Sequence, residues 1–297
     1  MKLITHEEYL KFLGHQKSVQ IGSVDVRLCT EWKMKRLQPA EYVREEWTVW
    51  SFPRRGDWAT HVGNYRGNWS PFIPRNLIDR YTKPGETVCD PMMGSGTTLV
   101  ECKLMGRNAI GVDINPNAVM VALNRLDFPY APFDPALTSR ILAYQGDARD
   151  LDLIGSGEAD LIATHPPYCS IVPYAKLVVG DLSLLNLPDF MCEMGRVAEE
   201  CFRILKADHY CAILIGDTRK HLHYIPINIG VLSKFLEAGF VLKEDIIKLQ
   251  HKTKTTRERW RGHAYNFYKI AHEHLLVFRK PTDDERTSRL KYSLKWW

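Results

Sequence analysis

What is scarce in this 297-residue chain narrows its class before any motif is read. No stretch approaches the roughly 18 uninterrupted apolar residues of a membrane-spanning helix. The opening MKLITHEEYLKFLGHQKS has charged and polar residues where a secretory leader needs an apolar core, so a soluble, cytoplasmic protein without a membrane partner is expected. The seven cysteines, at positions 29, 89, 102, 169, 192, 201 and 211, are odd in number and include no CxxC. Most lie in apolar runs such as TVCDP and HYCAILI, which points to buried thiols in a reducing compartment rather than to disulfides or zinc. Glycine (19) and proline (16) are too few for a collagenous or low-complexity chain, and 45% hydrophobic with 25% charged residues excludes disorder. Forty Lys+Arg against 35 Asp+Glu leave +5, which permits a polyanionic partner without identifying one.

Repeats and linkers are also missing, so one domain with extensions is the simplest division: residues 1–56 as a lid, cap or partner surface, 57–280 as the main domain, and 281–297 as a tail. From Asn76 the text becomes regular. Helix NLIDRYT, strand TVCDP, a glycine turn and helix TTLVECKLMG, stopped by Gly106, follow in tight succession. Strand NAIGVDI, a helix from Pro116 or Asn117 to Leu126, helix ALTSRILA, a short strand near AYQGDA and strand ADLIAT come next. Helix FMCEMGRVAEECFRIL, strand HYCAILIGD, helix IGVLSKFLEAG and strands FVLKEDIIKLQ and EHLLVFRK complete the pattern. This alternation predicts a doubly wound α/β fold with a mainly parallel sheet and an antiparallel last strand.

In such sheets ligands bind beyond the carboxyl ends of the strands, where Asp90, Asp113 and Asp147 fall. Asp90 opens DPMMGSGTT. Gly94 and Gly96 permit a sharp turn whose backbone N–H groups can approach a ligand, with Ser95 between them and Thr97 and Thr98 at the next helix N-terminus. The third glycine of a dinucleotide fingerprint and the GK[ST] of a P-loop are both absent. Asp113 stands 17 positions beyond Gly96 (113 − 96), placed to accept two ribose hydroxyls. Singly, each acid fits a cap or turn equally well; in this order they predict an adenosine site.

THPPYC, residues 164–169, ends the fourth strand. Pro166 and Pro167 remove two donors, so neighbouring carbonyls are freed from the sheet as acceptors. An exocyclic amino group on a base is a matching donor, and Tyr168 offers a ring for stacking on an extruded base.

These residues resemble the S-adenosylmethionine-dependent DNA amino-methyltransferases, which modify cytosine N4 or adenine N6; the resemblance spans roughly residues 60–280. It implies a Rossmann-like methyltransferase fold with S-adenosyl-L-methionine as cofactor. DPMMGSGTT (Asp90, Pro91, Gly94, Ser95, Gly96, Thr97, Thr98) is similar to the first cofactor motif, and GVDINP, with Asp113 and Ile114, to the second. QGDA, with Asp147 and Ala148, is similar to a third near the adenine, and GNWSPFIPRNLI to the methionine-side motif. THPPY, with Thr164 on the cofactor side, resembles the catalytic motif: His165, Pro166, Pro167 and Tyr168 are the implied catalytic residues. His165 departs from the Asp, Asn or Ser usual there, so an imidazole nitrogen must accept. With an ordinary pKa of about 6.5, activity is expected to fall as pH drops through its titration. The threonine leans the motif toward cytosine N4, with adenine N6 open. Direct transfer needs neither a catalytic cysteine nor a metal, and Cys169 is expected to be structural.

The implied partner is duplex DNA with its target base flipped, bound by a monomer or homodimer. Residues 248–269, KLQHKTKTTRERWRGHAYNFYK, interleave seven cations with aromatics; Lys252, Lys254, Arg257, Arg259 and Arg261 are the candidate phosphate contacts. FPRRGDWATHVGNYRGNW is a second basic, aromatic segment that could form the opposite wall of a cleft. Two other readings are an RNA guanine-N2 methyltransferase and a non-catalytic nucleic-acid-binding protein retaining the fold.

Overall fold

A computed structural model describes residues 1–65, 67–130, 137–169, 178–251 and 266–294. The elements in chain order are β1 (Lys2–Leu3), α1 (His6–His15), β2 (Ser18–Ile21), β3 (Val24–Arg27), β4 (Val49–Ser51), α2 (Phe72–Tyr81), β5 (Thr87–Asp90), α3 (Thr97–Met105), β6 (Asn108–Asp113) and α4 (Pro116–Leu126). They continue with β7 (Ile141–Gln145), β8 (Ala159–Thr164), α5 (Leu187–Ile204), β9 (Leu205–Ile215), β10 (Thr218–Lys220), β11 (His223–Ile225), α6 (Ile227–Glu237), β12 (Val241–Leu249), β13 (His272–Arg279) and α7 (Lys291–Leu294).

One nine-stranded sheet, in the order β1-β7-β6-β5-β8-β9-β13-β12-β4, organises the molecule. Strands β7, β6, β5, β8 and β9 run parallel; β13 is antiparallel to both β9 and β12. Both faces are covered, as the buried apolar strands require. Phe190, Met194 and Val197 of α5 pack with Val231 and Phe235 of α6 on one face, while α2, α3 and α4 bury Ile73, Leu77, Leu99, Cys102 and Val119 on the other. The first helix after β5 ends at Gly106, which adopts φ 71°, and Pro116 starts α4 behind Asn115, whose side chain caps the Asn117 N–H.

Two elements differ from the sequence expectation. The helix expected over ALTSRILA is replaced at its end by β7, with Ala109, Ile110 and Gly111 of β6 paired to Ile141, Leu142 and Ala143. A short apolar run fits helix or strand alone, and here the edge of β6 decides. Helix α2 begins at Phe72, before Asn76; Pro74 lies in its first turn, where its missing N–H has no intrahelical partner to lose. The first 56 residues wrap the domain instead of standing apart: β1 pairs antiparallel with β7, and β4 parallel with β12, so this segment provides both sheet edges. The β2–β3 hairpin packs over α4, and Asn124 ties it down by accepting the Cys29 N–H at 2.9 Å. All seven cysteines are free, and Cys89, Cys102, Cys169, Cys201 and Cys211 are buried. Among the described residues no helix is long and apolar enough to cross a membrane.

Candidate active site

The sheet order reverses direction between β5 and β8, which opens a crevice beyond their carboxyl ends. Asp90 ends β5, Asp113 ends β6, Thr164 ends β8, and Asp147 lies just past β7. A cleft holding about 840 Å³ of open space, bulk solvent at its mouth included, sits there. Asp90, Pro91, Gly94, Ser95, Thr97, Asp113, Ile114, Asp147 and Ala148 line it, together with His165 and Pro167. Gly96, Thr98, Thr164, Pro166 and Tyr168 do not line it and act from behind its wall.

Asp90 is 2% exposed. Its carboxylate accepts from Thr98 Oγ1 at 2.5 Å, Thr164 Oγ1 at 2.8 Å and the Met92 N–H at 3.2 Å. The two threonine hydroxyls therefore hold a carboxylate. Burial pushes Asp90 up to about 6, against those hydrogen bonds. Asp113 accepts the Gly94 N–H and the Asn115 N–H, each at 2.9 Å. A carboxylate has about four acceptor positions, so two stay available. Burial pushes Asp113 up to about 7.

The glycines also do other work than expected. The Gly94 N–H is committed to Asp113, and the Gly96 N–H donates to the Met93 carbonyl at 2.8 Å, so neither is presented to a ligand. A Cβ on Gly96, which has φ 75°, would lie 2.9 Å from Ala122 Cβ: this glycine serves the packing of α3 on α4. A Cβ on Gly94 would lie 3.3 Å from the Tyr65 ring, another part of the cleft wall. Thr97 Oγ1 is buried in that wall without a hydrogen bond. Arg149 binds Asp147 through Nε at 2.8 Å and Nη2 at 2.5 Å; burial opposes ionisation, but these bonds hold the carboxyl below its usual range. With its oxygens so engaged, Asp147 shapes the wall beside Ala148.

Sequence reasoning missed several wall residues. Arg125 is 2% exposed and donates to Ser95 Oγ at 2.6 Å and Asn64 Oδ1 at 2.8 Å. Arg55 donates to the carbonyls of Asn68 and Trp69 at 3.0 and 2.6 Å, fastening the segment that carries GNW against the cleft instead of facing outward. Burial pushes both guanidiniums down to about 10, and neither is ion-paired with a carboxylate among the described residues. Gly180 and Asp181 close another side; the only sequence signal was an acid before a short helical turn, LSL.

At the catalytic motif, Trp69 stacks on His165 with ring centroids 5.9 Å apart and planes at 24°. His165 Nε2 is 2.9 Å from the Tyr168 hydroxyl, which donates to Glu273 Oε1 at 2.9 Å; Lys248 Nζ donates to Glu273 Oε2 at 2.7 Å. His165 Nδ1 is buried without a hydrogen bond. Burial pushes the ring down to about 4, so the titration expected near 6.5 moves out of the neutral range. Tyr168 is anchored by its hydroxyl and packs where a Cβ on Gly216 would stand 3.0 Å from its ring. Glu273 was legible only as an acid at the head of an apolar strand. Lys248, one of the seven cations of the basic run, is committed to Glu273. The candidate contacts Lys252, Lys254, Arg257, Arg259 and Arg261 lie outside the described residues, as does Arg66. Glu86, Asp160 and His209 form the one group among the described residues spaced to hold a metal ion, but Lys206 already places its ammonium 2.6 Å from Asp160.

A DNA methylase family model matches residues 5–124, and an RMKL-like methyltransferase domain matches residues 80–178. The type II methyltransferase M.Cfr9I of Citrobacter freundii is 38% identical over 91 residues, 29% of this chain and 30% of that protein. The DNA adenine methyltransferase YhdJ of Escherichia coli K12 is 28% identical over 116 residues, 39% of this chain and 40% of that one. An S-adenosylmethionine-dependent methyltransferase structure from Methanosarcina mazei has a TM-score of 0.49 at 15% identity, covering 70% of this chain and 98% of the other. The matches span only about 10–40% of the length of these curated relatives. The DNA methylase model and the local identity to type II methyltransferases make this chain similar to DNA methyltransferases over part of its length.

Proposed function

We propose that the protein methylates an exocyclic base amine in duplex DNA, with cytosine N4 favoured over adenine N6 by its TxPPY text. The observation that carries this reading is a single cleft lined both by Asp113 and by His165. The residues present fit S-adenosylmethionine. Asp113 keeps two acceptor positions for ribose hydroxyls, Met92 and Ile114 offer apolar surface for an adenine, and Thr97 Oγ1 lacks a partner. The uncompensated charges of Arg125 and Arg55, behind Ser95 and Trp69, favour the carboxylate of a methionine moiety on that side. Bound there, the cofactor supplies an electrophilic methyl group on a sulfonium.

The chain's own part is to place the amine. Pro166 and Pro167 lack N–H donors, so the carbonyls beside them remain acceptors for one amine proton. A neutral His165 accepts the other, leaving the nitrogen lone pair free to attack. Holding the reactants together in this way supplies up to about 7–11 kcal/mol in well-oriented systems. An imidazole near 4 is neutral throughout the working range, so it repels no amine and can accept. Flipping of the base and phosphate contacts by residues 252–261 complete the proposal.

The test is incubation with methyl-labelled S-adenosylmethionine and either duplex DNA or tRNA, followed by digestion to nucleosides. Label on cytosine or adenine of the duplex is the expected result, and the nucleoside identifies the base. Label in tRNA alone, or none in either with the cofactor demonstrably bound, overturns it.

A further inference from the structure

The side chains Lys248, Glu273, Tyr168 and His165 form a hydrogen-bonded line across three neighbouring strands and the tip of a fourth. Lys248 on β12 lies opposite Glu273 on β13 in the antiparallel register, β9 separates them from β8, and Tyr168 crosses over Gly216 just past β9. Because β13 runs against its neighbours, its first residues, Glu273 among them, reach the edge where the parallel strands end. Glu273 is 7% exposed. A carboxylate that deep needs compensation, and Lys248 Nζ at 2.7 Å supplies it; burial pushes the carboxyl up, but the Lys248 ammonium, helped by the Tyr168 hydroxyl, draws it below its usual range.

The proton count then runs in one direction. An ionised Glu273 accepts only, so the single Tyr168 proton goes to Glu273 Oε1. The Tyr168 oxygen can then only accept from His165 Nε2, 2.9 Å away. A neutral imidazole carrying its proton on Nε2 has a bare Nδ1, and Nδ1 makes no hydrogen bond here. We infer that Lys248, Glu273 and Tyr168 are positioning residues that fix His165 in the Nε2–H tautomer, so that Nδ1 is the ring's acceptor for the substrate amine. This rests on the methyl-transfer reading above. It explains how histidine works where an amide or carboxylate oxygen would need no such arrangement: imidazole has an acceptor on only one nitrogen, and something must choose which. The other groups facing the ring are Arg55, whose charge lowers its pKa, and the Gly67 backbone, whose carbonyl accepts from the protonated ring and raises it.

Imidazole ¹⁵N chemical shifts of His165 in the ligand-free protein at pH 7.5 read the tautomer without any reaction, so they test the line even if methyl transfer fails. A bare Nδ1 and protonated Nε2 are expected; a protonated Nδ1 overturns the inference. Glu273→Gln introduces an amide that can donate to Tyr168, which reverses the line and moves the proton toward Nδ1. With labelled cofactor and duplex DNA, kcat should fall at least tenfold while KM for cofactor and DNA stays within about twofold. His165→Asn carries an acceptor oxygen that needs no tautomer, so adding Glu273→Gln to it should leave kcat within about twofold. An equal loss in both backgrounds overturns the inference. Tyr168→Phe leaves the Lys248–Glu273 pair intact and cuts the line elsewhere; should Glu273→Gln not fold, the same comparison is made with this variant. Absence of transfer by the wild type would sink the functional reading, while the ¹⁵N result would still decide the tautomer.

Discussion

Asp113 and His165 line one cleft, yet their surroundings are built in opposite ways. Asp113 is held by backbone N–H groups of Gly94 and Asn115, and Asp147 by Arg149, two positions along the chain. His165 depends on Tyr168 and, through it, on Glu273, 105 positions from Tyr168. Burial acts on both ends, and because it penalises charge it moves the acids up and the imidazole down: Asp90 to about 6, Asp113 to about 7, His165 to about 4. The two acids therefore carry the titrations nearest neutral pH, and His165 stays neutral there. A sequence without coordinates places the sensitivity on His165, which is where an ordinary histidine would put it.

The largest expected effect separates the two ends most cleanly. His165→Ala should lower kcat by about 10²–10⁴, the range for loss of a proton-accepting group, while cofactor affinity measured by calorimetry stays near wild type. Asp113→Ala should do the reverse. Losing charge-assisted hydrogen bonds worth about 1.5–3 kcal/mol should weaken cofactor binding by about 10- to 100-fold, with kcat at saturating cofactor largely kept. If equilibrium dialysis shows affinity unchanged in Asp113→Ala, the cofactor does not reach β6.

The pH comparison is sharper still, because only one of the two ends titrates near neutral pH. An ionised Asp113 accepts hydroxyl protons and a protonated one accepts less, so cofactor affinity should fall as pH drops from 8 to 6. Over the same interval kcat at saturating cofactor should stay level, since His165 remains neutral. Without ligand the linkage reverses. Asp90 and Asp113 titrate above their usual 3.8, so their contribution to stability is complete below about 4 and is lost as pH rises through about 6 to 7. The rise in Tm produced by cofactor should accordingly be larger at pH 8 than at pH 6; equal rises would detach Asp113 from binding.

Two smaller effects test the frame behind the cleft. Gly96→Ala puts a Cβ 2.9 Å from Ala122 at φ 75°, and should cost about 1–3 kcal/mol in denaturant unfolding. A loss of cofactor affinity without that destabilisation would restore Gly96 to the ligand's side. Thr164→Val removes one hydrogen bond to Asp90 and should cost about 1 kcal/mol.

The reach of sequence reading follows the same division. The glycine stop at Gly106, the Pro116 start of α4 and the strand-tip positions of Asp90, Asp113 and Asp147 each arise from a few adjacent residues, and all were legible. The ALTSRILA stretch was misread because its strand exists only where β6 offers an edge. Thr98 and Thr164 sit in the expected motifs, but their hydroxyls turn to Asp90, a choice made by the meeting of β5 and β8.

By itself the sequence determined most of the alternation of strands and helices from Asn76 onward, the doubly wound class and the residues gathered at the strand tips, because hydrophobic period, caps and turns act over a few positions. Only the tertiary structure decided that residues 1–56 supply both sheet edges, that Arg125 is buried and Arg55 half-buried behind the cleft, and that β13, running against its neighbours, carries Glu273 to the Tyr168 hydroxyl. Those arrangements depend on which strand lies beside which, and a hydrogen bond between residues 105 apart leaves no local pattern to read.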